Sequence, residues 1–348
     1  MSSPVGCRPI IQVHPSRRCN LRCAHCYTSS GPNETATVAL DALHRAVADA
    51  AALGYEQCAV SGGEPFLWES LPTFLESAKR VGLMTSVTTN GLLLTPTRLA
   101  AVEGHLDVLA VSVDGPPEHH DLMRQRDGAF VVMRRRLANI RSCSVPFGMI
   151  FTLTRFNADH LEWLAEFAVN EGASFVQIHP LTSSGRARTT LDGAEPDAIE
   201  LAAALVEITQ LRDTCPDLDM RLDATTRVQL DSFPDHLITD HSAPLASIVP
   251  NLIVDDQGNV IPYTHDVHPS FWLGSLHDAP LGELASRWRA TNGRRCERLL
   301  AATHTELTRA DAPPITYWPD TLAALSNHPR QPARQRHTGR PRHLAAIN

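Results

Sequence analysis

The sequence has little that would direct it to a membrane or to nucleic acid. No apolar run approaches the roughly 20 residues that a membrane-spanning helix needs, and the opening MSSPVGCRPI shows no charged segment followed by an apolar one. A net charge of −7 over 348 residues is modest, so the overall charge gives no reason to bind nucleic acid. We therefore expect a globular cytoplasmic protein with neither a membrane nor a nucleic-acid partner.

Cysteine is scarce outside one short segment. The chain has eight cysteines, and three of them, Cys19, Cys23 and Cys26, lie within eight positions. The others, at positions 7, 58, 143, 215 and 296, are scattered, which favours small buried side chains. In a reducing compartment the tight group is more typical of a metal-binding or catalytic site than of disulfides.

Short apolar runs alternate with helical stretches from residue 9 to about 180. Helical spacing is clearest over 37–54 and 160–172, where apolar residues recur on one face. Strands that alternate with helices predict parallel βαβ units with right-handed crossovers. Six repeats predict an α/β fold, a partial (β/α)6 barrel, although a flat doubly wound sheet has the same periodicity. The predicted strands are 9–13, 55–60, 84–89, 107–113, 147–153 and 175–179.

The pattern changes after a helix predicted over 196–213. Residues 250–263 predict a hairpin, which a short strand in FWLGSL and a helix in PLGELASRW follow. We therefore expect a barrel domain over 1–215 and a small α+β C-terminal domain over 216–327. Residues 328–348 are rich in proline and arginine, which predicts a disordered tail. An arm that contacts an acidic peptide or a nucleic acid is the alternative for this tail.

Polar residues and glycines follow the predicted strands at one end. In folds of this kind, function gathers beyond the carboxyl ends of the strands. The cysteine segment follows the first strand, SGGEP (61–65) the second, NG (90–91) the third and SVDG (112–115) the fourth. Because these ends meet at one rim, we expect a single active site built from several loops.

Three clustered thiols suit a metal cluster with one open position. Thiolates are soft ligands for zinc and for iron–sulfur clusters, and structural zinc sites are closed by four ligands. No second cysteine pair follows, and His25 lies between Cys23 and Cys26, where adjacent residues rarely converge on one ion. A four-iron cluster normally takes four cysteines. With three, one iron stays open for a ligand that is not protein.

The spacing Cys19-x3-Cys23-x2-Cys26 within CNLRCAHCY resembles the signature of the radical S-adenosylmethionine (radical SAM) superfamily. The resemblance implies that the three cysteines hold one [4Fe-4S] cluster, whose open iron binds the amino and carboxylate groups of S-adenosylmethionine. It also implies reductive cleavage of the sulfonium and hydrogen abstraction from a substrate by a 5′-deoxyadenosyl radical. The resemblance covers residues 9 to about 180 well and about 250 to 290 loosely.

Two further segments resemble cofactor-binding motifs of this family. In SGGEP, the backbone of Gly62 and Gly63 is expected to bind the methionyl ammonium, with the negative charge of Glu64 nearby. The alternative is a plain turn before a helix. At the end of the fourth strand, the resemblance assigns Ser112 to the methionyl carboxylate and Asp114 to the ribose or the substrate. Asp114 is otherwise a cap of the following turn.

Four more residues are candidates for contact with the cofactor by the same resemblance. Arg124 fits an arginine that pairs with the cofactor carboxylate, since a planar guanidinium binds a carboxylate at two points. Asn90, or Thr89 beside it, is expected near the cofactor, although Asn-Gly is also a common turn. Tyr27 is expected against the adenine and His179 against cofactor or substrate, although either is equally explained by packing.

The C-terminal stretch resembles the SPASM extension, which many peptide-modifying members carry. That extension normally has a cysteine after the proline of G-x-V-x-P, with further cysteines that bind auxiliary clusters, but here Tyr263 takes its place. Cys215 and Cys296 alone cannot hold a further cubane, so we expect a single cluster. Tyr263, His265 and Asp266 are candidates for lining the substrate pocket or, alternatively, ordinary hairpin and loop residues.

The resemblance implies an enzyme that matures a ribosomally synthesised peptide by crosslinking, epimerisation or oxidation. A small-molecule biosynthetic enzyme that acts on a sugar or a tetrapyrrole is the alternative within the class. An inactive metal-binding structural module is the alternative outside it. The expected partners are an electron donor such as flavodoxin or ferredoxin and, because the first strand starts by residue 9, a separate leader-peptide-binding protein, with leader binding by the C-terminal domain as the alternative.

Overall fold

The computed structural model of the chain describes residues 8–231 and 243–327, and the tail predicted over 328–348 lies outside them. Within these residues the central element is a ten-stranded sheet, and two further strands, Thr225–Thr226 and Ile315–Thr316, form a separate pair. The strands, in chain order, are β1 (Ile10–Val13), β2 (Gln57–Val60), β3 (Met84–Thr89), β4 (Val108–Ser112), β5 (Phe147–Leu153), β6 (Phe175–Pro180), β7 (Asp219–Leu222), β8 (Thr225–Thr226), β9 (Asn251–Val254), β10 (Asn259–Pro262), β11 (Gly274–Ser275) and β12 (Ile315–Thr316).

Eight strands of the sheet are parallel, and seven of them, β1 to β7, are consecutive. Strands β1 to β7 pair in sequence order, each parallel with the next. All their carboxyl ends therefore lie at the same edge of the sheet. The predicted strands are β1 to β6, each within two residues of its expected bounds, so the α/β class is confirmed.

Helices connect the strands, and three of them match the predictions for 37–54, 160–172 and 196–213. The last of these begins with a capping box between Asp197 and Glu200. No described helix combines the length and the apolar character that crossing a bilayer would need. The helices are α1 (Leu40–Ala52), α2 (Leu71–Arg80), α3 (Pro96–Val102), α4 (Pro117–Arg124), α5 (Ala129–Ile140), α6 (Leu161–Glu171), α7 (Ala187–Thr190), α8 (Ala198–Thr214), α9 (Arg227–Asp231), α10 (Leu245–Ile248), α11 (Leu281–Thr308) and α12 (Trp318–Asn327).

The two faces of the parallel sheet differ in polarity. On one face Val13, Val60 and Val87 lie side by side in register and are fully buried. Successive residues of a strand point to opposite faces, and on the other face polar residues recur. The half-buried polar residues of this inner face are Gln12, Ser86, Thr88, Thr152, Gln177 and His179. The inside of the curved sheet is therefore polar and accessible, whereas the outside forms the apolar core.

The C-terminal hairpin extends the same sheet. Strand β9 pairs in parallel with β1, and β10 and β11 follow in antiparallel order. The hairpin predicted over 250–263 is thus confirmed, and its turn is closed by a hydrogen bond of 3.0 Å from the N–H of Gly258 to the carbonyl of Asp255. At the opposite edge β7 pairs with β6 beyond the predicted boundary at residue 215. One sheet crosses that position, and the division into domains stays a prediction.

The helix expected in PLGELASRW is much longer than the sequence analysis proposed. Helix α11 has 28 residues, and its buried side chains continue from Trp288 through Cys296 and Leu299 to Leu307. The apolar spacing thus persists well past the segment from which the helix was predicted. This long face packs against α12 and α1.

Candidate active site

The cysteine segment is a loop at the carboxyl end of β1 that other parts of the barrel hold in place. The N–H of Ala24 donates to the carbonyl of Met123 in α4 (2.8 Å). On the opposite side, the N–H of Arg186, which follows β6, donates to the carbonyl of Cys26 (2.9 Å). The loop is therefore anchored to elements more than 90 residues away in the sequence.

The three thiols lie together at the rim. Cys19 and Cys23 are buried, and Cys26 is half-buried. Burial raises the pKa of Cys19 to about 12, and the nearby thiols of Cys23 and Cys26 contribute to the shift. Burial also raises the pKa of Cys23, again with a contribution from Cys26. Each sulfur is thus within electrostatic reach of the others, as ligands of one metal cluster must be.

This set of donors fits an iron–sulfur cluster. Thiolates are the ligands that such clusters take, and three converging thiols leave one iron for an outside ligand. In the ranges that the structure describes, no three His, Cys, Asp or Glu side chains are arranged to hold a single metal ion. In a [4Fe-4S] cluster each thiolate binds a different iron, so the sulfurs stand farther apart than the ligands of one ion. Cys19, Cys23 and Cys26 are the residues that would hold the cluster.

Two of the sulfurs have a side-chain hydrogen-bond donor beside them. Nδ2 of Asn90, directly after β3, lies 3.9 Å from Sγ of Cys19. Nη1 of Arg124, at the end of α4, lies 3.8 Å from Sγ of Cys23. Donors of this kind favour the thiolate form and influence the reduction potential of a cluster. The structure therefore brings two predicted residues to the cysteines, Asn90 from the end of β3 and Arg124 from the end of α4.

The SGGEP loop packs directly against the residues that precede the cysteines. The N–H of Gly63 donates to the carbonyl of Ser16 and the N–H of Glu64 to the carbonyl of Arg18, both at 2.9 Å. A Cβ atom on Gly63 would lie only 2.1 Å from the Arg18 carbonyl oxygen. Gly62 has a φ of 98°, which favours glycine. The two glycines thus join the second strand end to the cysteine loop, and their contact with a cofactor stays a prediction.

Replacing Gly63 with alanine is expected to destabilise the protein by about 1–3 kcal/mol, the usual range for overpacking. The new methyl group would collide with a backbone carbonyl, which cannot rotate away as a side chain can. Urea denaturation of the metal-free protein would measure the free energy of unfolding. Gly104→Ala is the matched control, because nothing lies within 4 Å of a Cβ at that position. Equal effects of the two substitutions would contradict the close packing.

Glu64 is a buried carboxylate that joins two strand ends. Its oxygens accept hydrogen bonds from the N–H of Phe66 (3.1 Å), the hydroxyl of Thr89 (2.7 Å) and the N–H of Asn90 (2.9 Å). Burial raises the pKa of Glu64, and these hydrogen bonds oppose that shift. Glu64 thereby holds Asn90 beside Cys19, whereas its predicted place near the cofactor ammonium stays a prediction.

Asp114 and Arg124 form a buried ion pair next to the cysteine loop. Nε of Arg124 is 2.6 Å from Oδ2 of Asp114, and the side chains are 8% and 0% exposed. Burial alone would raise the pKa of Asp114, but Arg124, with His25 and His120 nearby, outweighs burial and holds the pKa below its ordinary value. His25, considered above as a zinc ligand, has Nε2 3.9 Å from Oδ1 of Asp114.

This ion pair differs from the roles that the resemblance implied. Arg124 was expected to pair with the cofactor carboxylate, and Asp114 to lie near the ribose or the substrate. In the structure the two side chains pair their opposite charges with each other, because Asp114 after β4 and Arg124 in α4 lie in one buried space. Ser112, two residues before Asp114, is buried at the end of β4. Contacts of these three residues with the cofactor stay predictions.

Tyr27 lies at the rim between the first two strands and the C-terminal hairpin. It is 38% exposed, and its hydroxyl is 3.4 Å from both Nε2 of His14 and Oγ of Ser61. The ring of His265 lies 4.9 Å from the ring of Tyr27 and 4.8 Å from that of His14. Burial lowers the pKa of His265 to about 4, so this ring is neutral at pH 7. The rings form an aromatic surface beside Cys26, which suits the predicted contact of Tyr27 with the adenine of the cofactor. That contact itself stays a prediction.

His179 is paired with a carboxylate that the sequence analysis did not identify. Nδ1 of His179 and Nε2 of Gln177 both contact the carboxylate of Asp223, which follows β7. Burial would lower the pKa of His179, but Asp223 outweighs burial and raises it. The two side chains are 41% and 36% exposed, so the pair is accessible from the inner face. Contact of His179 with cofactor or substrate stays a prediction.

Tyr263 packs in the core directly after β10, and the alternative considered above for it was an ordinary hairpin residue. It is 4% exposed, and its hydroxyl donates to the carbonyl of Ile248 (3.2 Å). Burial raises the pKa of Tyr263, and the thiol of Cys296 is close enough to contribute. Asp266, in contrast, is half-buried, contacts the hydroxyl of Ser184, and does not pack in the core.

The structure is a partial α/β barrel with three buried or half-buried thiols grouped at the carboxyl end of its first strand. Residues 13–168 match the radical SAM superfamily. The match includes the cysteine segment, the SGGEP loop and Arg124. This part of the chain thus matches the family whose signature the cysteine segment resembles. A domain of this family implies a [4Fe-4S] cluster and S-adenosylmethionine.

Several curated enzymes are similar to the chain in sequence. Fe-coproporphyrin III synthase from Methanosarcina barkeri is 26% identical over 237 residues, which are 67% of this chain and 55% of the relative. PqqA peptide cyclase from Ruegeria pomeroyi is 31% identical over 207 residues, which are 57% of this chain and 55% of the relative. The chain spans about half the length of the curated relatives it matches.

Solved structures share the fold at low sequence identity. SuiB from Streptococcus suis, bound to S-adenosylmethionine, has a TM-score of 0.64 and 12% identity, and the likeness covers 82% of this chain and 67% of SuiB. The protein anSMEcpe with bound AdoMet has a TM-score of 0.62 and 17% identity, with coverage of 92% and 96%. The predicted partial barrel is confirmed, and the flat doubly wound sheet is not what the chain adopts.

Proposed function

We propose that the chain is a radical SAM enzyme that cleaves S-adenosylmethionine reductively and abstracts a hydrogen atom from its substrate. The observation that carries this proposal is the convergence of Cys19, Cys23 and Cys26 at the carboxyl ends of the parallel strands of a radical SAM domain. When bound there, a reduced [4Fe-4S] cluster supplies one electron for the cleavage. A purely structural metal module, the alternative of another class, explains neither the SGGEP loop nor the polar inner face.

The residues around the thiols have separate roles in this proposal. Asn90 and Arg124 donate toward two sulfurs and stabilise the thiolates that bind metal. Glu64 keeps Asn90 in place. The pair of His179 and Asp223 offers a hydrogen-bonding surface on the accessible inner face, where a substrate has room to lie next to the rim.

We also propose a single cluster in the chain. The described cysteines are all free, but those other than Cys19, Cys23 and Cys26 do not lie in the cysteine loop. Cys296 is buried in the core near Tyr263, and Cys215 ends α8. Free cysteines also support a reducing cytoplasm as the place where the protein works.

Anaerobic reconstitution with iron and sulfide tests the proposed function. We expect about four irons per chain and release of 5′-deoxyadenosine after addition of S-adenosylmethionine and dithionite. A Cys215→Ala variant should retain both signals, because that thiol lies at the end of α8. A stable zinc complex without cofactor cleavage would contradict the enzyme, and about eight irons per chain would contradict the single cluster.

We propose a ribosomally made peptide as the substrate class. PqqA peptide cyclase and the sporulation killing factor maturation protein SkfB of Bacillus subtilis are similar to this chain. Structures with the same fold include SuiB bound to precursor peptide SuiA and anSMEcpe with bound peptide. The half-buried polar side chains of the inner face support this choice, since an extended peptide needs donors and acceptors along its length. A separate leader-binding protein would then deliver the peptide.

A tetrapyrrole is the second candidate substrate. Fe-coproporphyrin III synthase matches 67% of this chain, and pre-heme d1 synthase of Dinoroseobacter shibae is 30% identical over 188 residues. Titration of the reconstituted protein with iron tetrapyrroles that carry more carboxyl groups than iron coproporphyrin III, the product for which the relative is named, separates the two candidates. Binding followed by faster 5′-deoxyadenosine release favours the tetrapyrrole, whereas acceleration by a precursor peptide alone favours the peptide.

We propose that an acidic electron donor such as flavodoxin or ferredoxin docks on the outer side of the cysteine loop. Arg18 and Arg22 flank Cys19, and both side chains are exposed. Among the residues that the structure describes, neither arginine forms an ion pair with a carboxylate, unlike Arg17, which contacts Glu34 and Asp256. Positive charge at the surface above a redox centre attracts an acidic partner.

A further inference from the structure

Arg186 contacts the cysteine loop from the far side of the barrel. It follows β6 and is not among the site residues that the sequence predicts. Its Nη1 donates to the carbonyl of Cys23 (2.7 Å), and its Nη2 donates to the carbonyl of Ser30 (2.6 Å). Its backbone N–H donates to the carbonyl of Cys26 (2.9 Å). One residue thus serves three carbonyls of the loop, two of which belong to the predicted cluster ligands.

The segment around Arg186 comes unusually close to the loop. Gly185 has a φ of 55°, and a Cβ atom there would lie 2.2 Å from the carbonyl oxygen of Tyr27. Any other residue would push the segment away from the loop. One turn later, the hydroxyl of Thr190 donates to the carbonyl of Ala24 (2.6 Å). These contacts do not involve the guanidinium, so the close approach has independent support.

The guanidinium of Arg186 makes these contacts with carbonyl oxygens alone. In residues 8–231 and 243–327 it has no carboxylate partner within ion-pair distance. A planar guanidinium holds two acceptors in a fixed relation, and hydrogen bonds from a charged donor are stronger than neutral ones. Arg186 therefore sets the distance between the carbonyls of Cys23 and Ser30, which lie on either side of Cys26 in the sequence.

We propose that Arg186 is a positioning residue that keeps the cysteine loop in the shape required to retain the [4Fe-4S] cluster. It acts through the backbone of Cys23 and Cys26 and does not contact their sulfurs. The proposal rests on the proposed function, since the shape of the loop matters for retention only if a cluster binds there. Residues that orient metal ligands from outside typically change metal affinity by about 10–100-fold when they are lost.

Iron release from reconstituted variants tests this role. Arg186→Met keeps a long side chain but cannot donate, and we expect it to lose iron to a ferrous chelator about tenfold faster than the wild type. Arg188→Met is the matched control, because Arg188 is 65% exposed in the same segment and contacts Asp266 rather than the loop. It should release iron at the wild-type rate. Arg186→Lys retains the positive charge but lacks the planar guanidinium that reaches two carbonyls. Its rate of iron release should therefore lie between the rates of Arg186→Met and the wild type.

Melting of the metal-free variants separates positioning from folding. We expect similar melting temperatures for Arg186→Lys and the wild type, with different iron-release rates. Equal release rates for Arg186→Met and the wild type would overturn the proposal. If Arg186→Met does not fold, the lysine variant decides, and a wild-type rate in that variant overturns the proposal as well. Failure of the wild type to bind iron would instead refute the proposed function.

Discussion

Replacing Cys19, Cys23 and Cys26 together with alanine is expected to abolish both iron binding and cofactor cleavage. Iron should fall from about four atoms per chain to background, and 5′-deoxyadenosine should no longer form. The loss should be complete because no other described cysteine lies near the site. Cys58 and Cys296 are buried in the core, whereas Cys143 and Cys215 are half-buried near the ends of helices.

The triple variant should still fold, since alanine is smaller than cysteine and, within the described structure, only long hydrogen bonds of 3.3–4.0 Å at the three sulfurs are lost. Circular dichroism would verify the fold, and iron analysis with anaerobic turnover would measure the loss. A Cys143→Ala/Cys215→Ala variant removes two thiols away from the site and should keep the full signals. Iron retained by the triple variant, or 5′-deoxyadenosine formed by it, would show that the three thiols are not the ligands.

The regular part of the fold could be predicted because its signals are local. Strands β2, β4 and β5 are apolar runs between turn residues, and β3 (MTSVTT) is rich in β-branched residues. The side chains of these strands on the core side are buried. Strand β7 could not be predicted in the same way. In its four residues only Met220 is fully buried, and the sequence DMRL has no apolar run. It is a strand because β6 offers a free edge, which is a property of the assembled sheet.

In the candidate site, too, local sequence motifs could be predicted, whereas contacts between distant elements could not. The three cysteines and the SGGEP loop form short motifs, and the structure places both at the carboxyl ends of β1 and β2. The partners of individual side chains depend on the assembled barrel, so the sequence does not reveal them. The salt bridge of Asp114 with Arg124 and the contact of His179 with Asp223 join groups from different elements. For the same reason the sequence analysis missed Arg186, whose role appears only when β6 lies opposite the cysteine loop.

Removing the charge of Asp114 is expected to have the largest effect on stability. We expect Asp114→Asn to destabilise the metal-free protein by about 3–5 kcal/mol, the range for breaking a buried ion pair by loss of one partner. The reason is that Arg124 would remain charged at 8% exposure without its carboxylate. Urea denaturation would measure the change. The neighbours His25 and His120 cannot balance the positive charge of Arg124, because an imidazole ring is either neutral or positively charged.

A double-mutant cycle with Arg124→Gln tests whether the cost comes from the unpaired charge. If it does, Asp114→Asn/Arg124→Gln should be less destabilised than the sum of the single variants, because neither charge is then left buried alone. Glu283→Gln is the matched control, since it breaks an ion pair with Arg287 in which the side chains are 53% and 57% exposed. That change should cost at most about 0.5 kcal/mol. An effect of Asp114→Asn as small as the control's would contradict this account and would show that Glu64 or Cys23, which also interact electrostatically with Arg124, compensates its charge.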